Sequence, residues 1–225
     1  MYYKLDLAWE PKIIGVTNGI YQVELDSKAY SKKEFEVIES VFILGDISPN
    51  VENLDMAFKF YFKKLKKAKK TGFISFTPNF KNGHFLVSDD VVNIFKRFHL
   101  QHHKYFDTIV YDSPTEIMDN RYRLFYMPLQ DWDVIDFENT IFSSGGIGKH
   151  PGVEQKFANE VEFLNFKGNT KVETLALSKN FDTNLDLFFT RLGGIIISDG
   201  LKCAIEENNV TGINLTNPIV VLMKS

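Results

Sequence analysis

The densest grouping of chemically useful side chains in this chain is the run Asp131 to Phe142, DWDVIDFENTIF. It sets Asp131, Asp133, Asp136 and Glu138 among Trp132 and Phe137. Carboxylates do acid–base work when two of them are held near a substrate with their pKa values pushed apart, and nothing in this spacing holds any two together. The same residues suit another task. Aromatic anchors supply much of the binding energy of a protein interface, and acidic groups around them select and steer a basic partner. As structure alone, the run reads as a strand with one wet face. Asp131, Trp132, Asp133, Asp136, Phe137 and Glu138 are therefore the candidate partner-binding residues.

Other chemistry is poorly supported. The run SSGGIGKH, Ser143 to His150, has the look of a phosphate loop. But Ser143 stands where the first glycine is required, His150 replaces the hydroxyl residue, and Pro151-Gly152 blocks the helix that should follow. A surface loop is expected. His99, His102 and His103 lie close in sequence, yet no Cys or Glu falls at ligand spacing to complete a zinc set. The lysines from Lys63 to Lys70 read as a solvated helix end. Cys203, beside Leu201, Ala204 and Ile205, reads as a small buried or half-buried residue. No nucleophile elbow and no His-Glu-x-x-His pair occurs. No cofactor and no metal is expected.

The bulk numbers fit this. The 225 residues are 44% hydrophobic and 24% charged, and 21 phenylalanines point to a sizeable core, to an interface, or to both. A net charge of -3 provides no general pull toward nucleic acid or anionic lipid. One cysteine excludes an internal disulfide framework and fits a reducing compartment. The opening MYYKLDLAWEP does not have the form of a secretory signal, and no apolar run approaches the ~20 residues that span a bilayer. The expectation is a cytoplasmic protein without nucleic-acid or membrane partners.

The elements that must position these residues are organised around a repeat. Phe85 to Tyr111, FLVSDDVVNIFKRFHLQHHKYFDTIVY, is echoed from Ile195 by IIISDGLKCAIEENNVTGINLTNPIVV. The register is constant: Gly83 falls on Gly193, Ser88 on Ser198, Asp89 on Asp199, Ile109 on Ile219 and Val110 on Val220. Each copy predicts a buried strand, a helix capped by serine with aspartate in its first turn, and a returning strand, a compact βαβ-like unit. Before the repeat, alternation over Tyr3 to Trp9 predicts a strand, and Thr17-Asn18-Gly19 between Ile13–Val16 and Ile20–Leu25 predicts a hairpin. Ser31 to Glu34 has capping-box spacing, but FEVIESVFIL favours a strand over Val37–Leu44. Leu54, Phe58, Tyr61, Phe62 and Leu65 share a face in a predicted helix from Leu54 to Lys70, ended by Gly72. Strands are expected over Arg121–Tyr126, Lys171–Leu177 and Leu185–Thr190, and Val153 to Phe166 is ambiguous. The fold class is α+β, with mixed sheets and an internally duplicated strand–helix–strand unit at about 83–111 and 193–222. Residues 1–225 are expected to form a single domain, with a division near 70 as the alternative.

The pieces in order are YYKL, GVTNGI, FLVSDDVVNIF, YRLFYM followed by DWDVIDFENTIF, and IIISDGLKCAIEENNVTGI. This order resembles an α+β family of immunity proteins of bacterial polymorphic toxin systems, over most of the chain and most clearly from Gly83 to Gly212. The more specific parts are Ser198, Leu201, Lys202 and Gly212, and Ile135-Asp136-Phe137 with Thr140. Thr140 stands where Ser is expected, and Phe137 where Trp is common. The resemblance implies a non-enzymatic protein that binds and neutralises a cognate toxin by occlusion, and it supplies no binding residues. Two other readings stay open. One is an enzyme joining the His99–His103 segment to the Asp131–Glu138 carboxylates. The other is a structural module whose aromatic excess forms a homodimer interface.

Overall fold

The computed structural model describes residues 1–17, 19–44, 58–81, 83–112, 119–145, 152–215 and 218–223. In chain order the first half holds β1 (Tyr2–Lys4), β2 (Asp6–Leu7), α1 (Pro11–Ile14), β3 (Val23–Leu25), α2 (Lys32–Ile38, continued by a π-helical turn Glu39–Ile43), β4 (Phe60–Lys64), β5 (Phe73–Ile74), β6 (Phe76–Thr77), β7 (Gly83–Ser88), α3 (Asp89–Phe95), β8 (Lys104–Tyr111) and β9 (Asp119–Tyr126). The second holds β10 (Ile141–Ser144), β11 (Val153–Gln155), α4 (Glu160–Asn165), β12 (Thr170–Leu177), β13 (Leu187–Thr190), β14 (Gly194–Ser198), α5 (Asp199–Glu207), β15 (Ile213–Asn214) and β16 (Pro218–Met223). The chain is α+β with mixed sheets.

The repeat folds as two copies. Ser88 Oγ accepts from the Val91 amide at 3.4 Å to start α3, and Ser198 Oγ accepts from the Leu201 amide at 3.2 Å to start α5. Each satisfies one of the donors a helix start leaves open. The strands flanking each helix are not paired with each other, so the expected compact unit is a split one. β9 lies antiparallel between β7 and β8, and β1 lies antiparallel between β14 and β16.

The duplication reaches far beyond the matching letters. Among the described residues, one seven-stranded sheet runs β5-β7-β9-β8-β4-β3-β6 and the other β13-β14-β1-β16-β12-β10-β11. Position by position the pairings agree: β8 is parallel to β4 as β16 is to β12, and β3 is antiparallel to β4 as β10 is to β12. They differ at one edge, where β6 is parallel to β3 but β11 antiparallel to β10. The segment from β10 to β12, expected to lie outside the repeat, is thus the counterpart of β3 to β4. The N-terminal strand β1 fills in the second sheet the place that β9 fills in the first, and β2 pairs with β15.

Alternation places the core. On β7, Phe85 and Val87 face an inner cluster and Leu86 an outer one; on β14, Ile195 and Ile197 face the same inner cluster and Ile196 another outer one. The inner cluster contains α3 (Val91, Ile94, Phe95) and α5 (Leu201, Ala204, Ile205), so it joins both halves. Each Val, Leu, Ile or Phe among them contributes about 1.5–3 kcal/mol when fully buried. Outside the first sheet lie α2 and its π-helical turn, through Ile38 and Phe42; outside the second lies α4, through Phe163.

Several local expectations are corrected. Val37–Leu44 is helical, not a strand, because the Ser31 capping box forms and Ile38 and Phe42 bury one face. Capping plus burial outweighs the small helix penalty of β-branched residues. The helix expected over Leu54–Lys70 fails where the chain is described: Phe60 and Phe62, both 0% exposed, alternate with the exposed Lys63 on β4. Lys66 and Lys67 form a turn, so the lysines cap no helix. The expected hairpin over 13–25 is instead α1 and β3, which pairs with β4 and β6, and Asn18 of its expected turn lies outside the described residues. Gly15 closes α1 at φ +81, and a Cβ there would sit 2.3 Å from the Lys67 carbonyl oxygen, which only glycine avoids. The first strand region ends at Leu7, leaving Trp9 exposed. Val153 to Phe166 resolves into β11 and α4. Cys203 is exposed rather than buried.

Candidate functional site

The Asp131–Phe142 run is not one strand. Trp132–Val134 is a 3-10 turn, Ile135 bridges to Leu177, and a further turn leads into β10. Asp136 makes that turn. Its backbone N–H donates to the Ala176 carbonyl at 2.9 Å, and its carboxylate accepts from the Asn139 amide and side chain at 3.3 and 2.9 Å. Thr140 Oγ1 donates to the Asp136 carbonyl at 2.7 Å and accepts from the Ala176 amide at 3.1 Å. Asp136 and Phe137 are buried, so they position the site more than they present it. Phe137 packs against Trp132 and Phe163 at 5.8 and 5.9 Å between ring centroids. Arg191 lies 5.1 Å over the Trp132 ring and fixes its outer side.

Asp131, Asp133 and Glu138 are exposed and Trp132 is half-buried. Asp133 is tied down: its carbonyl accepts from Ser178 Oγ at 2.6 Å and its carboxylate from Asn180 Nδ2 at 3.2 Å. The run then forms one wall of an open groove of about 640 Å³. Ala158–Glu160 at the start of α4 and Ser178–Asn180 line the other sides. Asp133, Glu138 and Glu160 line it with the buried Asp136 beneath, and Lys179 is the one lysine among its described lining residues, so the groove is acidic with Trp132 and Phe137 as its aromatic floor. The structure thus brings five of the six expected residues into one concavity, while Asp131 is not among those lining it.

The histidines sit elsewhere. The His99 carbonyl accepts from the Asp186 amide at 2.6 Å, His103 Nδ1 lies 2.8 Å from the Gln101 carbonyl, and none of the three lines the groove. Among the described residues no three His, Cys, Asp or Glu side chains gather as a metal site, and no helix is long and apolar enough to cross a membrane. A second cavity, of about 340 Å³, lies between Gly72, the start of α3 and the Asn208–Thr211 turn. Its cations are paired: Lys70 and Arg121 both reach Asp119, at 3.2 and 2.8 Å. Arg121, with Lys70 behind it, holds the Asp119 carboxyl well below the usual carboxylate range. Burial pushes the Tyr122 hydroxyl up to about 12.

A family comparison speaks to the same chain. A model of an immunity protein family matches residues 19–218. The chain belongs to the Immunity protein family (Imm11). No curated protein matches it. The match begins after α1 and ends at the start of β16, so it holds the first copy, the second copy without β1 and nearly all of β16, and the groove. Membership in Imm11 implies a toxin partner in general and agrees with the immunity resemblance carried by the sequence motifs.

Sequence reasoning missed α4 as part of this region. Val161, Phe163 and Leu164 fall within six residues of helix, and Phe163 alone of the three turns to the outer cluster of the second sheet. The signal was present: three large apolar side chains so spaced cannot all face one core.

Proposed function

We propose that this chain binds a cognate toxin domain and neutralises it by covering it, with no catalysis of its own, and that the acidic groove of Trp132, Asp133, Glu138 and Glu160 is part of the contact, with Asp131 at its rim. Membership in the immunity family carries the reading; the groove supplies chemistry suited to it. An acidic concavity floored by Trp132 and Phe137, with Phe163 packed against both rings, fits a basic, aromatic-seeking surface, and occlusion needs affinity and shape rather than an acid–base pair. We further propose that residues 1–225 act as one unit, because β1 is built into the sheet of the C-terminal half, and that the unit works in the cytoplasm, the kind of reducing compartment that a single cysteine fits.

The test is co-expression with the toxin domain encoded beside this gene. Rescue of growth together with co-purification is expected. A toxin that still kills, and that does not co-purify with the folded chain, contradicts the proposal. Charge reversal by Asp131→Lys with Asp133→Lys is expected to weaken the complex about tenfold, chiefly by slowing association. Unchanged affinity in the folded variant would remove those two carboxylates from the contact.

A further inference from the structure

The duplication provides an internal control for the surface around the groove. The helices α2 and α4 occupy equivalent places, α2 on the connection from β3 to β4 and α4 on that from β10 to β12. Each covers the outer face of its sheet. Their solvent sides differ in kind. Lys32, Lys33, Glu34 and Glu36 are exposed on α2, an ordinary solvated face, and the exposed Leu44 lies past the end of its π-helical turn. On α4, Val161 is 66% and Leu164 59% exposed, and their spacing places them on one side of the helix. Val153, on the edge strand β11 just before it, is 72% exposed. Three of the seven large apolar side chains that are exposed among the described residues therefore fall between Val153 and Leu164. Scattered single exposures are ordinary; a grouping on a helix whose counterpart is charged is not.

This face is continuous with the groove. Glu160 opens α4 and lines the groove, and Phe163 of the same helix packs against Trp132 and Phe137 of the groove floor at 5.9 Å from each. The helix is set by local bonds: Asn159 Oδ1 accepts from the Glu162 amide at 3.0 Å, and Glu162 returns a carboxylate to the Ala158 amide at 2.6 Å. None of its residues is fully buried. Its exposed apolar pair is thus not a by-product of deep packing.

We infer that the outer face of α4, anchored by Val161 and Leu164, is the apolar centre of the toxin contact. Its occupant is a toxin surface that presents apolar side chains ringed by Lys or Arg. The inference rests on the immunity reading and adds the energetic centre of the interface. Charge decides the occupant. Glu160 and Glu162 flank the pair on the helix, and Asp133 and Glu138 line the adjoining groove. A self-complementary dimer through this face would bring two acidic surfaces together, whereas a basic partner pairs with these carboxylates.

The test titrates the toxin domain encoded beside this gene, by calorimetry, into the full chain and two double variants. Val161→Ser with Leu164→Ser removes the apolar pair at exposed positions, so its melting temperature is expected to stay within a few degrees of the parent. Its affinity is expected to fall by about 30-fold or more, as for the loss of interface anchors. Lys33→Ser with Glu36→Ser makes the matching change on α2 and is expected to leave affinity unchanged. Unaltered binding by the folded Val161→Ser/Leu164→Ser chain overturns this inference and leaves the immunity reading standing. Failure of the parent chain to bind overturns both. A parent dimer in light scattering that this variant converts to monomer assigns the face to self-association and overturns the inference.

Discussion

The two halves of this molecule share a topology and differ in what they do with it. The first half closes its sheet with the neighbouring strand β9; the second takes β1 from the far end of the chain. The first covers its outer face with α2, capped by the Ser31 box and buried through Ile38 and Phe42; the second with the lightly packed α4. At the start of the paired helices, Ser88 N donates to the Gly72 carbonyl and Ser198 N to the Asp186 carbonyl, at 2.9 and 2.8 Å. The Asp186 side chain then accepts from Ser198 Oγ at 2.6 Å and from the His99 amide at 3.1 Å, where Gly72 leaves a cavity. A duplicated scaffold fixes the framework twice, so the departures between copies stand out against it. Among the described residues, α4 and the groove beside it are one such departure in surface chemistry.

The comparison can be broken most severely at its closing strands. Removing residues 1–7 strips the second sheet of the strand between β14 and β16 and removes the buried Leu5 from the inner cluster. The expected loss is on the order of 5 kcal/mol or more, the stability of a small domain. It would be seen as collapse of the thermal transition by circular dichroism. Moving the same segment behind residue 225 on a flexible linker should restore the transition, because β9 follows β8 in the first half in just that way. A truncated chain that melts like the parent would contradict the role given to β1.

The next effect exchanges the two helix starts. Asp186→Ala leaves Ser198 Oγ and the His99 amide without their acceptor and is expected to cost about 1–2 kcal/mol in urea unfolding. Gly72→Ala is expected to cost about 1 kcal/mol for the opposite reason. Its Cβ would meet Val210 Cγ1 at 2.6 Å and Val91 Cγ2 at 3.2 Å, so the neighbours must move. Equal stability of either variant with the parent would show that this difference between the copies carries no strain.

The smallest effect concerns the charge that pins β9. The Asp119 carboxyl is lowered in the folded chain by Arg121 first and then Lys70, so its contribution is full at neutral pH. It is lost as pH falls below about 4, the range where the unfolded carboxyl takes up its proton. Asp119→Asn should cost about 1 kcal/mol at pH 7, a modest value because Arg121 is largely exposed, and should flatten the acid side of the stability curve. An acid limb as steep as that of the parent would contradict the assignment.

How much of this was legible in the sequence follows the range of the interactions. The serine caps, the helices after them and the strands β8, β12 and β13 were readable because each is fixed by its own residues. The capping box at Ser31 was readable too, and was outweighed in the expectation by the β-branched run that follows. The strand β4 was misread because Phe58, Tyr61, Phe62 and Leu65 fit a helical face as well as Phe60 and Phe62 fit alternation, and only pairing with β8 decides. The place of β1 was not legible at all, since nothing local marks a strand that closes a distant sheet. Of the candidate site, the acidic-aromatic composition was readable. The division of labour within it, with Asp136 and Phe137 buried beneath Asp133 and Glu138, depends on Ala176, Asn139 and Phe163 and emerges only from the fold.

The most direct test of the central claim is amide hydrogen exchange of the full chain with and without the toxin domain proposed as its partner. The account predicts slowed exchange over residues 131–138 and 153–165 in the complex, with α2, over residues 32–38, exchanging as in the free chain. Protection centred on α2 with the groove and α4 unchanged would contradict it.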